Sequence, residues 1–285
     1  MSIRTSLNPV KAWRNAGPLP GFGLTLGLSL SWLGLIVFVP LLALLIKAAG
    51  LGWQGWWHII SDERVLGAMK LSFGTALCAA LINSIIGTLI AWVLVRYRFY
   101  GRAFLDALID LPFALPTAVA GIALTAIYSG NGWLGEYLEQ WGFKIAYAPS
   151  GIVIALLFIG LPFTVRTLQP VLENLHVEHE EAAASLGASR FTTLWRVVLP
   201  QILPAILTGF SLAFARGVGE YGSVIFIAGN LPYVSEIAPL LIVIKLDEFD
   251  YAGATVIATL MLATSFLILF LINTLQRRLA RGQAL

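Results

Sequence analysis

The chain has 285 residues, of which 58% are hydrophobic and 12% are charged, and its formal net charge is +3. Its apolar runs reach about 20 residues, enough to cross about 30 Å of hydrocarbon, so the composition excludes an ordinary soluble domain and indicates an integral membrane protein. Without a basic stripe interleaved with aromatic residues, no nucleic-acid partner is expected, and a single cysteine, Cys78, excludes a disulfide framework.

The N-terminal segment 1–21 carries three basic residues and no acidic residue. An apolar run follows at 22–46. It is longer than the apolar region of a signal peptide, and no convincing cleavage site comes after it. We therefore expect a cytoplasmic segment followed by a retained first transmembrane helix.

The apolar pattern predicts an all-α integral membrane protein with six transmembrane helices. Tryptophans in the stretch 51–60 are typical of a short helix at the membrane interface, and Pro112 and Pro116 are expected to bend the third span. The six helices form a predicted transmembrane domain at 22–276, which precedes a cytoplasmic tail at 277–285. The predicted spans are 22–46, 71–95, 107–128, 149–168, 203–227 and 252–275.

The distribution of positive charge predicts the orientation, because lysine and arginine are retained on the cytoplasmic side. With both termini in the cytoplasm, the inner segments hold twelve basic residues and the outer segments hold five. The inner ones are Arg4, Lys11, Arg14, Arg96, Arg98, Arg102, Arg166, Arg190, Arg196, Arg277, Arg278 and Arg281. The outer ones are Lys47, Arg64, Lys70, Lys144 and Lys245.

The segment 176–200 is the longest soluble-looking helical signal in the chain. Acidic residues including Glu181 open it, where carboxylates favour a helix N-terminus, and Gly187 predicts the end of the helix. Between them, Ala182 and Ala183 combine high helix propensity with little bulk, so that another protein surface could approach the backbone closely.

A second, amphipathic helix is predicted after Gly187, where apolar residues recur at spacings of three and four; we expect it to end at Leu199-Pro200. On periodicity alone, a plain amphipathic connector fits equally well. His176 and His179 stand beside carboxylates but lack a separate third ligand, so no metal site is predicted. No Gly-Lys-Ser or Gly-Lys-Thr phosphate loop and no nucleophile motif occurs, so we expect neither ATP binding nor catalysis by this chain.

Arg216 and Glu220 are the only ionisable residues expected well inside a span, and their spacing of four places them on one helical face. A charge at that depth is costly unless it is paired or hydrated. Two interpretations stay open: a self-compensating structural pair, or an arginine that lines or gates an anion path while the glutamate positions it. Gly219, Tyr221 and Ser223 surround them in a glycine-rich stretch of the kind common along translocation paths.

The outer segment before the last predicted span is acidic. It contains Glu236, Asp247, Glu248 and Asp250 against a single Lys245. We expect these carboxylates to face a neighbouring subunit or solvent.

The spacing from Glu181 to Pro200 reads Glu-Ala-Ala, three residues, Gly, nine residues, an aliphatic, one residue, Leu-Pro. It resembles the cytoplasmic coupling loop of permease subunits of ATP-binding-cassette (ABC) importers, with Val197 where that family usually has Ile. The resemblance implies a type I importer permease fold with a cytoplasmic coupling helix that docks on an ATPase subunit, which binds ATP and Mg. The coupling residues that it implies are Glu181, Ala182, Ala183, Gly187, Leu199 and Pro200.

The stretches 219–230, 237–246 and 251–254 resemble T-type permeases of bacterial sulfate/thiosulfate importers. The resemblance implies part of a sulfate or thiosulfate path in the inner membrane, together with a W-type second permease, two ABC ATPases and a periplasmic sulfate/thiosulfate-binding protein. A molybdate or tungstate importer is the alternative within this branch. A secondary anion transporter acting alone is the alternative from another class, but the inverted repeats it predicts are not clear in the sequence.

Overall fold

The computed structural model describes residues 22–282, with side chains up to residue 276. The predicted cytoplasmic segment 1–21 and the side chains of the basic tail lie outside the described residues. No strand occurs within residues 22–282. The chain divides between Gly52 and Trp53 into two compact units. The predicted domain boundaries at 21/22 and 276/277 stay predictions.

The first unit contains helix α1 (Phe22–Ala49), which spans 28 residues. A wide π turn at Gly34–Phe38 lies just before Pro40. Proline has no N–H to donate, and its ring collides with the carbonyl four residues earlier, so a widened turn at this point lets the helix continue. The helix predicted at 22–46 is thereby confirmed.

Twelve further helices follow among the described residues and lie in the second unit, except that Gly52, the first residue of the first of these helices, belongs to the first unit. A break between two neighbouring helices usually coincides with a glycine or a proline. They are α2 (Gly52–Ile60), α3 (Glu63–Arg96), α4 (Arg102–Ile109), α5 (Leu111–Ala114), α6 (Thr117–Tyr128), α7 (Gly135–Gln140), α8 (Pro149–Glu173), α9 (Val177–Ser185), α10 (Arg190–Val218), α11 (Val224–Ala228), α12 (Ala238–Asp247) and α13 (Tyr251–Gly282).

Among residues 22–282, five helices are long and apolar enough to cross a membrane: α1, α3, α8, α10 and α13. The predicted count of six is therefore not confirmed. The third predicted span is divided into α4, α5 and α6, because Pro116 forces the preceding Leu115 into an extended conformation (ψ 135°). The prolines thus break this element instead of bending it, and α6 alone is about 18 Å long.

Two helix ends differ from the sequence prediction. The expected end at Leu199-Pro200 is wrong, since α10 begins at Arg190 and continues through both residues. A π turn at Leu194–Val198 precedes Pro200 as the other π turn precedes Pro40, and it relieves the same clash. The expected continuation to residue 227 is also wrong, because α10 ends at Val218 in a glycine-rich stretch.

Helices α3, α8 and α10 pack against one another and form the centre of the second unit. Their contacts are made by small residues as well as by large ones such as Phe214. At Gly87 an added Cβ would lie only 2.8 Å from Cγ2 of Thr164, so the backbones of α3 and α8 come close there. Small residues at such crossings are typical of helix packing in membranes.

The acidic segment predicted to be on the outer side is largely paired with basic side chains. Arg64, in the first turn of α3, donates from Nε and Nη2 to the two carboxylate oxygens of Glu236 at 2.8 and 2.7 Å, and the Glu236 side chain is 1% exposed. Lys245 donates to Glu248 at 3.0 Å, which raises the pKa of the lysine, and it lies 3.3 Å from Asp250. The expectation that Glu236 faces solvent or a neighbouring subunit is therefore wrong.

Candidate functional site

Helix α9 forms the first half of the predicted coupling segment, and Gly187 ends it. The glycine has φ +81°, a left-handed conformation that side chains with a Cβ rarely adopt. The N–H of Ala188 donates to the carbonyl of Ala183 at 3.0 Å, and the N–H of Gly187 donates to the carbonyl of Ala184 at 2.9 Å. These two bonds define a Schellman motif and confirm the helix end expected at Gly187.

Helix α10 begins directly after this turn, with Ser189 as its N-cap. The Ser189 hydroxyl oxygen accepts a hydrogen bond from the Thr192 backbone N–H at 3.3 Å, and the two hydroxyls lie 2.9 Å apart. The helix stop and the next helix start are therefore separated by only a few residues. Local hydrogen bonds thus define the angle between α9 and the start of α10.

Half of the six predicted coupling residues are exposed. Glu181, Ala182 and Gly187 are exposed and Ala183 is half-buried, whereas Leu199 and Pro200 are half-buried within α10. Large apolar side chains near them are also exposed, among them Leu186, Phe191 and Trp195, and the last two stack with ring centroids 6.1 Å apart. The segment therefore presents a carboxylate, small residues and exposed apolar groups together, a composition typical of a protein interaction surface.

Glu180, next to Glu181, points into the protein. Its Oε1 accepts a hydrogen bond from Nη2 of Arg96 at 2.5 Å, and the guanidinium of Arg96 lies 5.1 Å from the centre of the Trp92 ring. Trp92, Glu180 and Ala184 line one open cavity of about 370 Å³. Because 84 residues separate the two side chains, no local sequence pattern predicts this ion pair.

Arg216 and Glu220 form the expected ion pair, with Nη1 and Oε2 2.5 Å apart. The expectation that both lie on one helical face is wrong, because α10 ends at Val218 and Glu220 lies in the non-helical stretch that follows. Glu220 is 2% exposed, and its Oε1 accepts hydrogen bonds from the backbone N–H and the hydroxyl of Ser223 at 2.9 and 3.0 Å. The carboxylate thus accepts hydrogen bonds at the point where the helix stops. Such partners are needed because non-helical backbone within a membrane has no water to bond to.

The other predicted path residues surround this carboxylate. Ser223 is fully buried, Tyr221 is half-buried against the central core, and Gly219 is exposed. The side chain of Arg216 is 34% exposed. The geometry thus provides a guanidinium whose position is set by a buried carboxylate and part of which remains accessible.

A second charge cluster surrounds Arg166. Arg166 lies on α8, which continues for seven residues beyond it to Glu173. Its five N–H groups all donate: to the carboxylates of Asp106 and Asp110, to the Asp106 carbonyl and to the Gln169 amide oxygen, at 2.6–2.9 Å. The cluster joins the broken third element to α8. The spacing of four between the two aspartates was the sequence signal for it.

Within residues 22–282, no group of three or more His, Cys, Asp or Glu side chains is arranged to hold a metal ion. The rings of His176 and His179 lie edge to face, 5.9 Å apart. In the part of the chain that the structure describes, this histidine pair therefore has no third ligand.

The sequence matches the family described as binding-protein-dependent transport system inner membrane component over residues 83–284. The sulfate transport system permease protein CysT of Escherichia coli (strain K12) is 49% identical over 263 residues, which cover 92% of this chain and 95% of that protein. The protein of the same name from Synechocystis sp. is 49% identical over 246 residues, 86% of each chain. The probable sulfate transport system permease protein cysT of Chlorokybus atmophyticus is 47% identical over 249 residues, 87% of each chain.

Among solved structures, a bacterial ABC transporter involved in the import of the acidic polysaccharide alginate is similar in fold. It has a TM-score of 0.75 at 15% identity and covers 94% of this chain and 96% of that chain. The same kind of transporter in complex with an alginate pentasaccharide-bound periplasmic protein gives a TM-score of 0.73 at 16% identity, with the same coverage. At such low identity the similarity concerns the fold alone.

Proposed function

Because the chain belongs to the family of inner membrane components of binding-protein-dependent transport systems, we propose that it is the permease subunit of an ATP-driven importer of sulfate and thiosulfate. The chain is a multi-pass membrane protein with the fold of type I ABC importer permeases, and such a permease is a non-catalytic component. The 49% identity over 92% of the chain to a protein named for sulfate transport carries the substrate assignment. Molybdate and tungstate have no comparable support.

The segment from Glu181 to Pro200 is the proposed coupling element. Its exposed part, with Glu181, Ala182 and Gly187, docks on the ATPase subunit, which binds ATP and Mg, and the movement enters the membrane through α10. The π turn at Leu194–Val198 keeps α10 continuous across Leu199-Pro200. A displacement at the docking surface is therefore carried by one helix into the membrane core.

The Arg216–Glu220 pair, with Gly219, Tyr221 and Ser223, is the proposed part of the translocation path. A guanidinium presents its N–H groups in a planar fork that suits oxyanions such as sulfate. The buried carboxylate of Glu220 forms an ion pair with Nη1 of Arg216, while the arginine side chain stays one-third exposed. The carboxylate therefore positions the guanidinium and moderates its charge, so that an anion can bind and leave.

The proposed assembly contains a second, W-type permease, two ABC ATPases and a periplasmic sulfate/thiosulfate-binding protein. The similar alginate transporter has been solved with a periplasmic protein, which supports that kind of partner. The excess of twelve inner over five outer basic residues supports termini in the cytoplasm of a bacterial inner membrane. This orientation places Glu181 on the side where ATP is available.

The proposal is tested by purifying the chain with its copurifying partners and reconstituting the complex in liposomes. We expect ATP hydrolysis stimulated by sulfate-loaded binding protein, together with sulfate uptake. Glu181→Lys and Gly187→Leu should leave membrane insertion intact but uncouple hydrolysis from uptake, whereas Glu178→Lys, at an exposed position one turn earlier on α9, should not.

Two results would contradict the proposal. Unchanged uptake and ATPase stimulation in both the Glu181 and the Gly187 variants would remove the docking role. Sulfate flux through the reconstituted chain alone, without any ATPase, would favour a secondary transporter instead.

A further inference from the structure

Helix α9 has little support of its own. It has nine residues, of which none is fully buried, whereas isolated helices shorter than about 12–15 residues are marginal in water. Its two chain ends lead to α8 and α10. The Arg96–Glu180 ion pair is therefore a distinctive contact, because it joins α9 to α3, a helix to which it is not adjacent along the chain.

Arg96, the α3 member of this pair, lies at the end of a well-packed helix. Arg96 is the last residue of a 34-residue helix, about 51 Å long, which exceeds the roughly 30 Å of hydrocarbon that a membrane span crosses. Just before it, Ala91 and Leu94 are fully buried in a cluster with Leu168 of α8 and Ile202 of α10. The Trp92 ring lies beneath the guanidinium. The charge at Arg96 is thus held at a fixed place on the packed helices.

The two neighbouring carboxylates of α9 have different surroundings. The side chain of Glu180 is 28% exposed and contacts Arg96, whereas Glu181 is exposed. Successive residues of an α-helix point about 100° apart, so one short helix presents one carboxylate inward and the next outward. The carboxylate of Glu180 is paired within the chain, whereas the carboxylate of Glu181 is exposed and can contact a partner protein.

We propose that the Arg96–Glu180 pair is a strut that transmits the movement of α9 to α3. The inference rests on the proposed function, since it assumes that an ATPase displaces α9. Without the strut, the displacement reaches the membrane through α8 and α10, to which α9 is joined by its chain ends and by packing against the start of α10. With it, the same displacement also reaches the end of α3, and all three central helices move together. Both side chains are positioning residues and touch no substrate.

The test uses the complete reconstituted complex and measures sulfate molecules transported per ATP hydrolysed. Arg96→Gln and Glu180→Gln should each lower this ratio by about tenfold, because substitutions within a coupling network weaken coupling while the sites themselves remain intact. The exchanged pair, Arg96→Glu with Glu180→Arg, should restore most of the ratio. Two exposed positions serve as matched controls: Arg98→Gln, just beyond the end of α3, and Glu178→Gln, on α9. Both variants should give the same ratio as the unmodified complex.

A covalent replacement of the strut gives a second readout. In a Cys78→Ala background, Arg96→Cys with Glu180→Cys removes the ion pair, and a bis-methanethiosulfonate reagent then bridges the two positions through two disulfides, with methanesulfinate released at each. If α9 and the end of α3 move together, bridging restores the number of sulfate molecules transported per ATP hydrolysed. This number falls again when the bridge is reduced. Loss of transport on bridging would overturn the proposal, because it would mean that the two ends must separate during the cycle.

The outcomes separate this inference from the proposed function. A normal ratio in both glutamine variants, or an exchanged pair no better than either single variant, would overturn the strut while leaving sulfate-stimulated hydrolysis intact. An unmodified complex without sulfate-stimulated hydrolysis would instead overturn the proposed function, and the strut with it.

Discussion

The turn after α9 and the stretch after α10 are both helix ends with glycine, and each lies close to an arginine–glutamate pair. After α9, Gly187 adopts φ +81° and the carbonyls of the last turn are bonded by backbone N–H groups a few residues on. After α10, Gly219 keeps an ordinary φ of −89°, and a buried side chain, Glu220, bonds Ser223 and Arg216. The first end is defined by its own backbone, and the second by a buried charge.

This difference bears on what each region can do. The Schellman turn and the Ser189 cap lie at the surface and depend on few contacts outside their own segment. The segment can therefore move as a unit while it keeps its shape. The stretch around Glu220 is fixed by burial, so a change there disturbs the packed core. We therefore infer that α9 is the part that moves and that the Arg216–Glu220 pair stays fixed.

The largest expected effect follows from Glu220→Leu. This change leaves the charge of Arg216 without its partner in a span and removes the acceptor for Ser223, at a cost of about 3–5 kcal/mol. Arg216→Met with Glu220→Leu should cost less, since no unpaired charge remains and only the hydrogen bonds from Ser223 are lost. The measurement is thermal unfolding of the purified complex. Equal losses in the two variants would show that the buried charge is not what holds this stretch.

The same double variant separates structure from transport. If the arginine is required in the anion path, uptake is lost although the complex stays stable. Normal uptake in the double variant would mean that the Arg216–Glu220 pair is structural and is not required in the anion path.

A smaller effect is expected at Gly187. Gly187→Val forces a β-branched residue into a left-handed conformation, at a cost of about 1–2 kcal/mol. The loss should appear as faster amide hydrogen exchange within Val177–Ser185 and not as a lower melting temperature, because α9 is peripheral. Gly187→Asn is the control, since asparagine tolerates this conformation. Equal exchange in the two variants would contradict a turn defined by its backbone.

The smallest effect is expected at Ser189. Ser189→Ala removes the acceptor for the Thr192 N–H and should cost about 1 kcal/mol, seen as faster exchange of the first amides of α10. Ser189→Asp keeps an acceptor and should behave like the unmodified protein. If alanine leaves the exchange unchanged, the cap does not set the start of α10.

How far the sequence predicted these features depends on the range of the interactions. Gly187 was identified as a helix end because a left-handed cap is a local property of a glycine after a helical run. The i,i+4 spacing likewise indicated the Arg216–Glu220 pair, although it did not reveal that the helix stops at Val218. After that stop a buried carboxylate accepts hydrogen bonds from Ser223, which no periodicity encodes.

Contacts between residues far apart in the sequence could not be predicted from local patterns. The pairs Arg64–Glu236 and Arg96–Glu180 join residues 172 and 84 positions apart, so only packing brings them together. The prolines in the third predicted span were recognised, but whether Pro116 bends or breaks a helix depends on its neighbours. Here the break is stabilised from outside by Arg166, which binds Asp106 and Asp110 across 60 and 56 positions.

The most direct test of the account is site-specific photocrosslinking from Ala182 in intact membranes. The account predicts a nucleotide-dependent adduct between this exposed position and an ATPase subunit, formed from the cytoplasmic side. An adduct with no nucleotide-hydrolysing protein, or labelling of position 182 by a reagent confined to the periplasm, would contradict it.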